Sequence, residues 1–151
     1  MRVILSLLLG VVGFFPIAST AAEPPVLLIL GDSLSAGYGM DREKSWVSLL
    51  ETRLRESGYS YRILNSSISG DTSQGGLARI PRLLDRYQPE IVIIELGAND
   101  GLRGINPDIT RDNMTSMIQQ SQAIGARVLL AGIKLPPNYG SDYLEKFESI
   151  Y

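Results

Sequence analysis

Three short segments of the chain hold residues suited to acyl chemistry. They read Gly31-Asp32-Ser33-Leu34-Ser35, Ser67-Ile68-Ser69-Gly70-Asp71-Thr72 and Gly97-Ala98-Asn99-Asp100-Gly101. A serine just past a buried strand, at the start of a helical turn, can project its hydroxyl into a cleft. The helix N-terminus stabilises negative charge there. Gly70 lets the backbone approach a ligand closely, and its N–H can donate to an oxyanion. The Asn99 side-chain amide can donate to the same oxygen. Each segment alone has a plainer reading. Ser33 can be a helix cap, Asp71 or Thr72 can cap the next helix, and Asn99-Asp100-Gly101 is good turn chemistry. Together they supply a nucleophile and two further donors, the minimum for stabilising a tetrahedral acyl intermediate. Turn statistics do not predict that order.

The elements that must position these residues alternate between strand and helix. Val26-Leu27-Leu28-Ile29-Leu30 is a continuous apolar run, as expected of a strand buried on both faces. Gly31 to Gly39 reads as loop. Ser45 to Ser57 carries Trp46, Leu49, Leu50 and Leu54 at helical spacing, with Gly58 placed to end the helix. Tyr61 to Leu64 reads as a second strand and Asn65 to Asp71 as a loop. A helix follows to about Tyr87, with Leu77, Ile80, Leu84 and Tyr87 on one face. Pro81 inside it predicts a late start or a kink. Ile91 to Leu96 is a third strand, Gly97 to Asp108 a loop, and Thr110 to Ile124 a helix with Met114, Met117 and Ile118 inward. Val128 to Ile133 is a fourth strand, Lys134 to Gly140 a proline-rich loop, and Ser141 onward a helix running to Tyr151. Strands separated by helices imply parallel pairing through right-handed crossovers. The expected fold is therefore α/β, a doubly wound parallel sheet with helices on both faces. Ligands bind such sheets at the carboxyl ends of the strands, where the three segments lie.

Composition narrows the function. The chain has 151 residues, 44% hydrophobic and 20% charged, which fits one globular domain with a real core. A net charge of -2 provides no basic field, so no nucleic-acid partner is expected. Cysteine is absent, which removes disulfides, thiolate catalysis and cysteine zinc sites. Histidine is absent too, so the usual general base at neutral pH must come from elsewhere. The first 22 residues stand apart: Arg2, an uncharged apolar stretch from Val3 to Phe15, then a small-residue tail ending Ala21-Ala22. This is the pattern of a cleaved secretory signal peptide, 1–22, ahead of one domain, 23–151. The apolar run is shorter than the ~20 residues of a membrane span, and no later segment is long enough to cross. Export to the periplasm or medium is the expectation. There is no phosphate-binding G-x-x-x-x-G-K-[ST] or G-x-G-x-x-G, so a nucleotide binder is excluded.

Gly31-Asp32-Ser33-Leu34 resembles the first block of the GDSL/SGNH hydrolases, Gly70 the second and Asn99 the third. Longer stretches are similar to the branch of periplasmic bacterial esterases described as thioesterases, arylesterases and lysophospholipases. These are Ile29 to Tyr38, Ser67 to Gln74, Glu95 to Gly104 and Leu135 to Gly140. The resemblance covers Val26 to Tyr151. It implies a flavodoxin-like SGNH fold and a serine esterase acting on acyl esters and thioesters, with Ser33 as nucleophile. The Ser33 N–H, the Gly70 N–H and the Asn99 side chain would form the oxyanion hole. The Gly101 to Ile105 loop would border the acyl groove and Leu135-Pro136 would line it. Asp32 would orient its loop. No metal or cofactor is implied, the partner is a small-molecule acyl substrate, and a monomer is expected. The family's fourth block, Asp-x-x-His, has no match in this sequence, which reads as a truncated form of the domain. Two alternatives stay open: a catalytically inactive acyl-binding protein or fragment, because no histidine is present, and a related esterase acting on acetylated carbohydrate.

Overall fold

The computed structural model describes residues 23–151. The expected leader, 1–22, lies outside them. Four parallel strands form one sheet in the order β2-β1-β3-β4: β1 (Val26–Gly31), β2 (Arg62–Asn65), β3 (Ile91–Glu95) and β4 (Arg127–Leu130). β1 is central, pairing Leu27 with Ile91 through Gly31 with Glu95 on one side and Val26 with Arg62 through Ile29 with Asn65 on the other. The chain leaves β1 for one neighbour and returns to the other. The strand order therefore reverses at the carboxyl ends of β1 and β3, which is where doubly wound sheets bind ligands.

All six residues of β1 are buried because helices cover both faces of the sheet. Successive side chains of a strand point to opposite faces. Leu28 and Leu30 join Val92 and Ile94 against α3 (Ser73–Tyr87) and α5 (Pro107–Ala123), through Ile80, Leu84, Met114 and Met117. Leu27, Ile29 and Ile93 pack on the other face against α2 (Trp46–Glu56), through Val47, Trp46, Leu50 and Leu54. Side-chain caps start these helices: the Ser45 hydroxyl accepts from the Ser48 N–H, Thr72 from Gly75 and Asn106 from Asp108. Among the described residues no helix is long and apolar enough to cross a membrane.

The doubly wound α/β expectation holds, and several local expectations need correction. Leu49 is not inward; it is 58% exposed, and Val47 takes the buried place. The helix before β3 does not start late for Pro81. It begins at Ser73, and Pro81 sits on its exposed side, where a missing N–H is tolerated because water can serve the freed carbonyl. α5 starts earlier than Thr110, at Pro107, because Asn106 caps it and proline suits the first helical turn. The helical turn expected to start at Ser33 is α1 (Ser33–Ala36), while the segment after β3, read as loop, contains a further turn, α4 (Ala98–Leu102). The last helix, α6 (Ser141–Glu148), is capped at Ser149 and does not run to Tyr151. Tyr151 tucks back instead. Its hydroxyl donates to the Leu96 carbonyl at 2.7 Å, and its ring meets Phe147 edge-on.

The core between the sheet and α3 closes around Ile80, which is fully buried. Ile80→Ala is expected to cost about 2–5 kcal/mol through lost burial and an unfilled cavity. Chemical denaturation of residues 23–151 would measure it, and a loss below 1 kcal/mol would mean that the core relaxes around the gap.

Candidate active site

Ser33 opens α1 directly after β1. The Asp32 carboxylate caps this turn, one oxygen accepting from the Leu34 N–H at 3.0 Å, and Gly37 closes it at φ 74°. Asp32 thus orients the loop, as expected, and Ser33 is left half-exposed at the sheet edge. Asn99 stands one strand away, in the first turn of α4 after β3. Gly70 follows β2, at φ 80°, a left-handed conformation that favours glycine. The structure therefore sets the three segments on the ends of adjacent strands β2, β1 and β3.

The Asn99 amide joins them. Its nitrogen donates to the second Asp32 carboxylate oxygen at 3.0 Å and to the Asp71 carbonyl at 2.9 Å. One side chain on the third segment so bonds to the first and second at once. Arg103, in the residues after α4, donates to the Gly70 carbonyl at 3.0 Å. The second segment is also clamped to α3: Arg79 holds the Asp71 carboxylate at 2.5 Å and donates to the Ser66 carbonyl at 2.8 Å. Among the described residues the backbone N–H groups of Ser33 and Gly70 have no hydrogen-bond partner. Thr72, not Asp71, caps α3 with its side chain.

Four carboxylates surround this point, Asp32, Asp71, Asp100 and Glu95, and sequence reasoning gave no role to Glu95. Burial raises the Asp32 carboxyl above its usual range, opposed by the Leu34 N–H; the Asp71 charge adds to the rise, the Asn99 amide counters it, and Asp100 adds again. Asp100 is buried and pins α3 to α4, accepting from the Ser73 N–H at 2.8 Å and the Ser73 hydroxyl at 2.5 Å. Thr110 and Asn113 complete that buried network from α5. Glu95 ends β3 and is only 7% exposed. It accepts from the Ser35 hydroxyl at 2.6 Å, and burial raises its carboxyl, opposed by that hydroxyl. Its sequence signal was a carboxylate closing the apolar run Ile91-Val92-Ile93-Ile94. Among the described residues no group of histidine, cysteine and carboxylate side chains could hold a metal ion.

Leu135 packs on Gly101 so closely that a Cβ there would lie 2.5 Å from its methyl groups. Tyr139 and Tyr143 hydroxyls donate to the Leu102 and Ile105 carbonyls at 3.2 and 2.7 Å. The Gly101 to Ile105 and Leu135-Pro136 segments therefore meet beside Asn99. Leu34 and Ile68 of the first two segments, and Leu102 directly after the third, present exposed apolar side chains.

The parallel α/β sheet thus carries serine, glycine and asparagine on three adjacent strand ends. The family model for GDSL-like lipases and acylhydrolases matches residues 29–150, and the chain belongs to that family. It is 55% identical over 130 residues to Esterase TesA of Pseudomonas aeruginosa, covering 86% of this chain and 65% of the relative. It is 49% identical over 131 residues to Thioesterase 1/protease 1/lysophospholipase L1 of Escherichia coli K12, covering 87% of this chain and 62% of the relative. The chain thus spans just under two thirds of the length of these relatives. A crystal structure of the psychrotrophic esterase EstA from a Pseudoalteromonas species, inhibited by monoethylphosphonate, superimposes with a TM-score of 0.78 at 46% identity. That match covers 83% of this chain and 68% of EstA.

The raised Glu95 carboxyl has a thermodynamic consequence. A carboxyl held above its ordinary 4.5 in the folded state binds its proton more tightly there than in the unfolded chain. Its contribution to stability is present below the ordinary value and is lost as pH rises through the folded value. Wild type should therefore gain on Glu95→Gln as pH falls from neutral toward 4.5. Melting temperatures of both proteins across that range check it; parallel curves would mean that Glu95 titrates normally.

Proposed function

We propose that the protein is a serine hydrolase of acyl esters and thioesters, with Ser33 as nucleophile. The observation that carries this is the Asn99 amide, which draws the Ser33 turn and the Gly70 loop together while the Ser33 and Gly70 N–H groups stay unpartnered. The Ser33 hydroxyl attacks the acyl carbon and gives its proton to a base. Charge moves onto the carbonyl oxygen, which takes the Ser33 N–H, the Gly70 N–H and one hydrogen of Asn99. Asn99 gives up one of its two internal bonds for this. The alcohol or thiol leaves with a proton, and water then cleaves the acyl-enzyme. The names of the relatives support esters and thioesters as the substrate class. Inhibition of EstA by a phosphonate fits an attacking hydroxyl. Leu34, Ile68 and Leu102, with the Leu135-Pro136 loop, give the acyl chain an apolar border.

The 151 residues contain no histidine, so we place the base in a segment outside this sequence. The same absence favours a second reading for residues 23–151 taken alone, a domain that binds acyl groups without turnover. Robust hydrolysis of p-nitrophenyl esters by that segment would put the base inside it.

The test uses protein expressed from the whole reading frame. Ser33→Ala should abolish turnover and labelling by a fluorophosphonate. Asn99→Ala should lower kcat about 10²–10³-fold, roughly 2.7–4 kcal/mol, with little change in KM, because the donor acts mainly in the transition state. If Asn99 only shapes a turn, its loss lowers the melting temperature and leaves kcat per folded molecule intact. Continued labelling of Ser33→Ala would sink the proposal.

We also propose that residues 1–22 are a leader removed on export to the periplasm or medium, leaving 23–151 as one hydrolase domain. The charged start, apolar run and small-residue tail support it. Mass spectrometry of the exported protein should find a new N-terminus between Ala21 and Pro24. Mature protein that retains Met1 would overturn it.

A further inference from the structure

Beneath the turn that carries Ser33 lies a polar cluster that the acyl chemistry does not touch. Glu95 and Ser35 are both buried, and the Ser35 hydroxyl sits between two partners. It donates to a Glu95 oxygen at 2.6 Å and accepts from the Trp46 indole N–H at 3.2 Å. The Ser35 carbonyl accepts from the Asn65 side-chain amide at 2.7 Å. Ser35 is thus tied to β3, to α2 and to the end of β2. Gly31 completes the fit: a Cβ there would stand 2.6 Å from the Ser35 hydroxyl and 2.9 Å from Glu95.

Burying a carboxyl costs free energy that a neutral apolar residue would not. Here only one oxygen recovers part of it, because the other Glu95 oxygen is buried without a hydrogen-bond partner. Such a group in a strand otherwise made of isoleucine and valine is poorly placed as a stabiliser. Its position is informative. Glu95 stands opposite Gly31 in the register of β1 and β3, below the first turn after β1. That turn is α1, only four residues long. A helix so short has no cooperativity of its own, and its direction is set by whatever holds it. Asp32 holds its start and Gly37 its end, while Ser35 is the residue that reaches down into the sheet.

We propose that Glu95 is a positioning residue, which through the Ser35 hydroxyl sets the direction of the Ser33 hydroxyl and of the Ser33 N–H. The inference rests on the reading of Ser33 as nucleophile and names what aims it. The required property is an acceptor at the Glu95 oxygen that faces Ser35. Trp46, donating to the same hydroxyl from α2, leaves that hydroxyl's own proton directed at Glu95.

The experiment measures kcat, KM and melting temperature for Ser35→Ala, Glu95→Ala, Glu95→Gln and Ser33→Ala, all in protein from the whole reading frame. Ser35→Ala and Glu95→Ala should each lower kcat by about 10²-fold, the scale of a 1 Å misplacement of a reacting group, with KM nearly unchanged. Glu95→Gln should recover most of the kcat lost in Glu95→Ala, since its amide oxygen can accept from Ser35. A purely structural cluster would lower the melting temperature and leave kcat per folded molecule at the wild-type value, which overturns the proposal. So does a Glu95→Gln enzyme as impaired as Glu95→Ala. If Glu95→Ala does not fold, Ser35→Ala decides alone, because it removes the same bond by the loss of one hydroxyl and leaves the Glu95 side chain filling its place. An inactive Ser33→Ala beside a fully active Ser35→Ala sinks this inference only. An active Ser33→Ala sinks the nucleophile assignment and this inference with it.

Discussion

The site depends on one planar amide. The Asn99 nitrogen carries two hydrogens, and its acceptors belong to different loops, the Asp32 carboxylate and the Asp71 carbonyl. Loops at the ends of parallel strands have no hydrogen-bond ladder to align them, because the ladder stops where the strands stop. A single donor group that satisfies acceptors on both neighbours replaces that ladder over the last few ångströms. The arrangement works only because β3 lies beside β1 in the sheet, which places Asn99 and Asp32 on neighbouring strand ends.

Around this amide the supports come from several directions. Arg79 grips the second segment from α3, and Arg103 grips it from the far side through the Gly70 carbonyl. Asp100, the neighbour of Asn99, anchors α4 to Ser73 at the start of α3 and to Thr110 of α5. Residues adjacent in sequence therefore divide the work. One faces the cleft and one faces the core, so the donor is held by a buried network without being buried itself. The half-exposed state of Ser33 follows the same logic, since its neighbours Asp32 and Ser35 are the buried members of its turn.

Much of this was legible in the sequence, for identifiable reasons. The uninterrupted apolar run of β1 signalled a central strand covered on both sides, and it has that place. The glycine-rich and polar segments after three strands signalled the functional edge of the sheet. The short turn α4 was not legible. It has no apolar periodicity because it is barely one turn long, and its polar residues also suit a loop. Pro81 gave a misleading signal, since sequence shows that an N–H is missing but not whether the freed carbonyl faces water. Leu49 misled for a related reason: helical spacing marks a stripe, and the covered part of the stripe is fixed by the sheet beneath it. Glu95 was visible as an anomaly in an apolar strand, but its partner Ser35 lies 60 residues away.

The Trp46 bond to Ser35 has an optical consequence. Trp46 is the one tryptophan of the sequence, and its indole N–H ends on the hydroxyl that is tied to Glu95 beneath the Ser33 turn. The indole excited state responds to its hydrogen-bond partner and to nearby charge. All tryptophan emission from this chain therefore originates at one place, directly under the Ser33 turn. The molecule carries its own fluorophore at the point where that turn meets the sheet, and no label has to be introduced to watch the turn settle or shift.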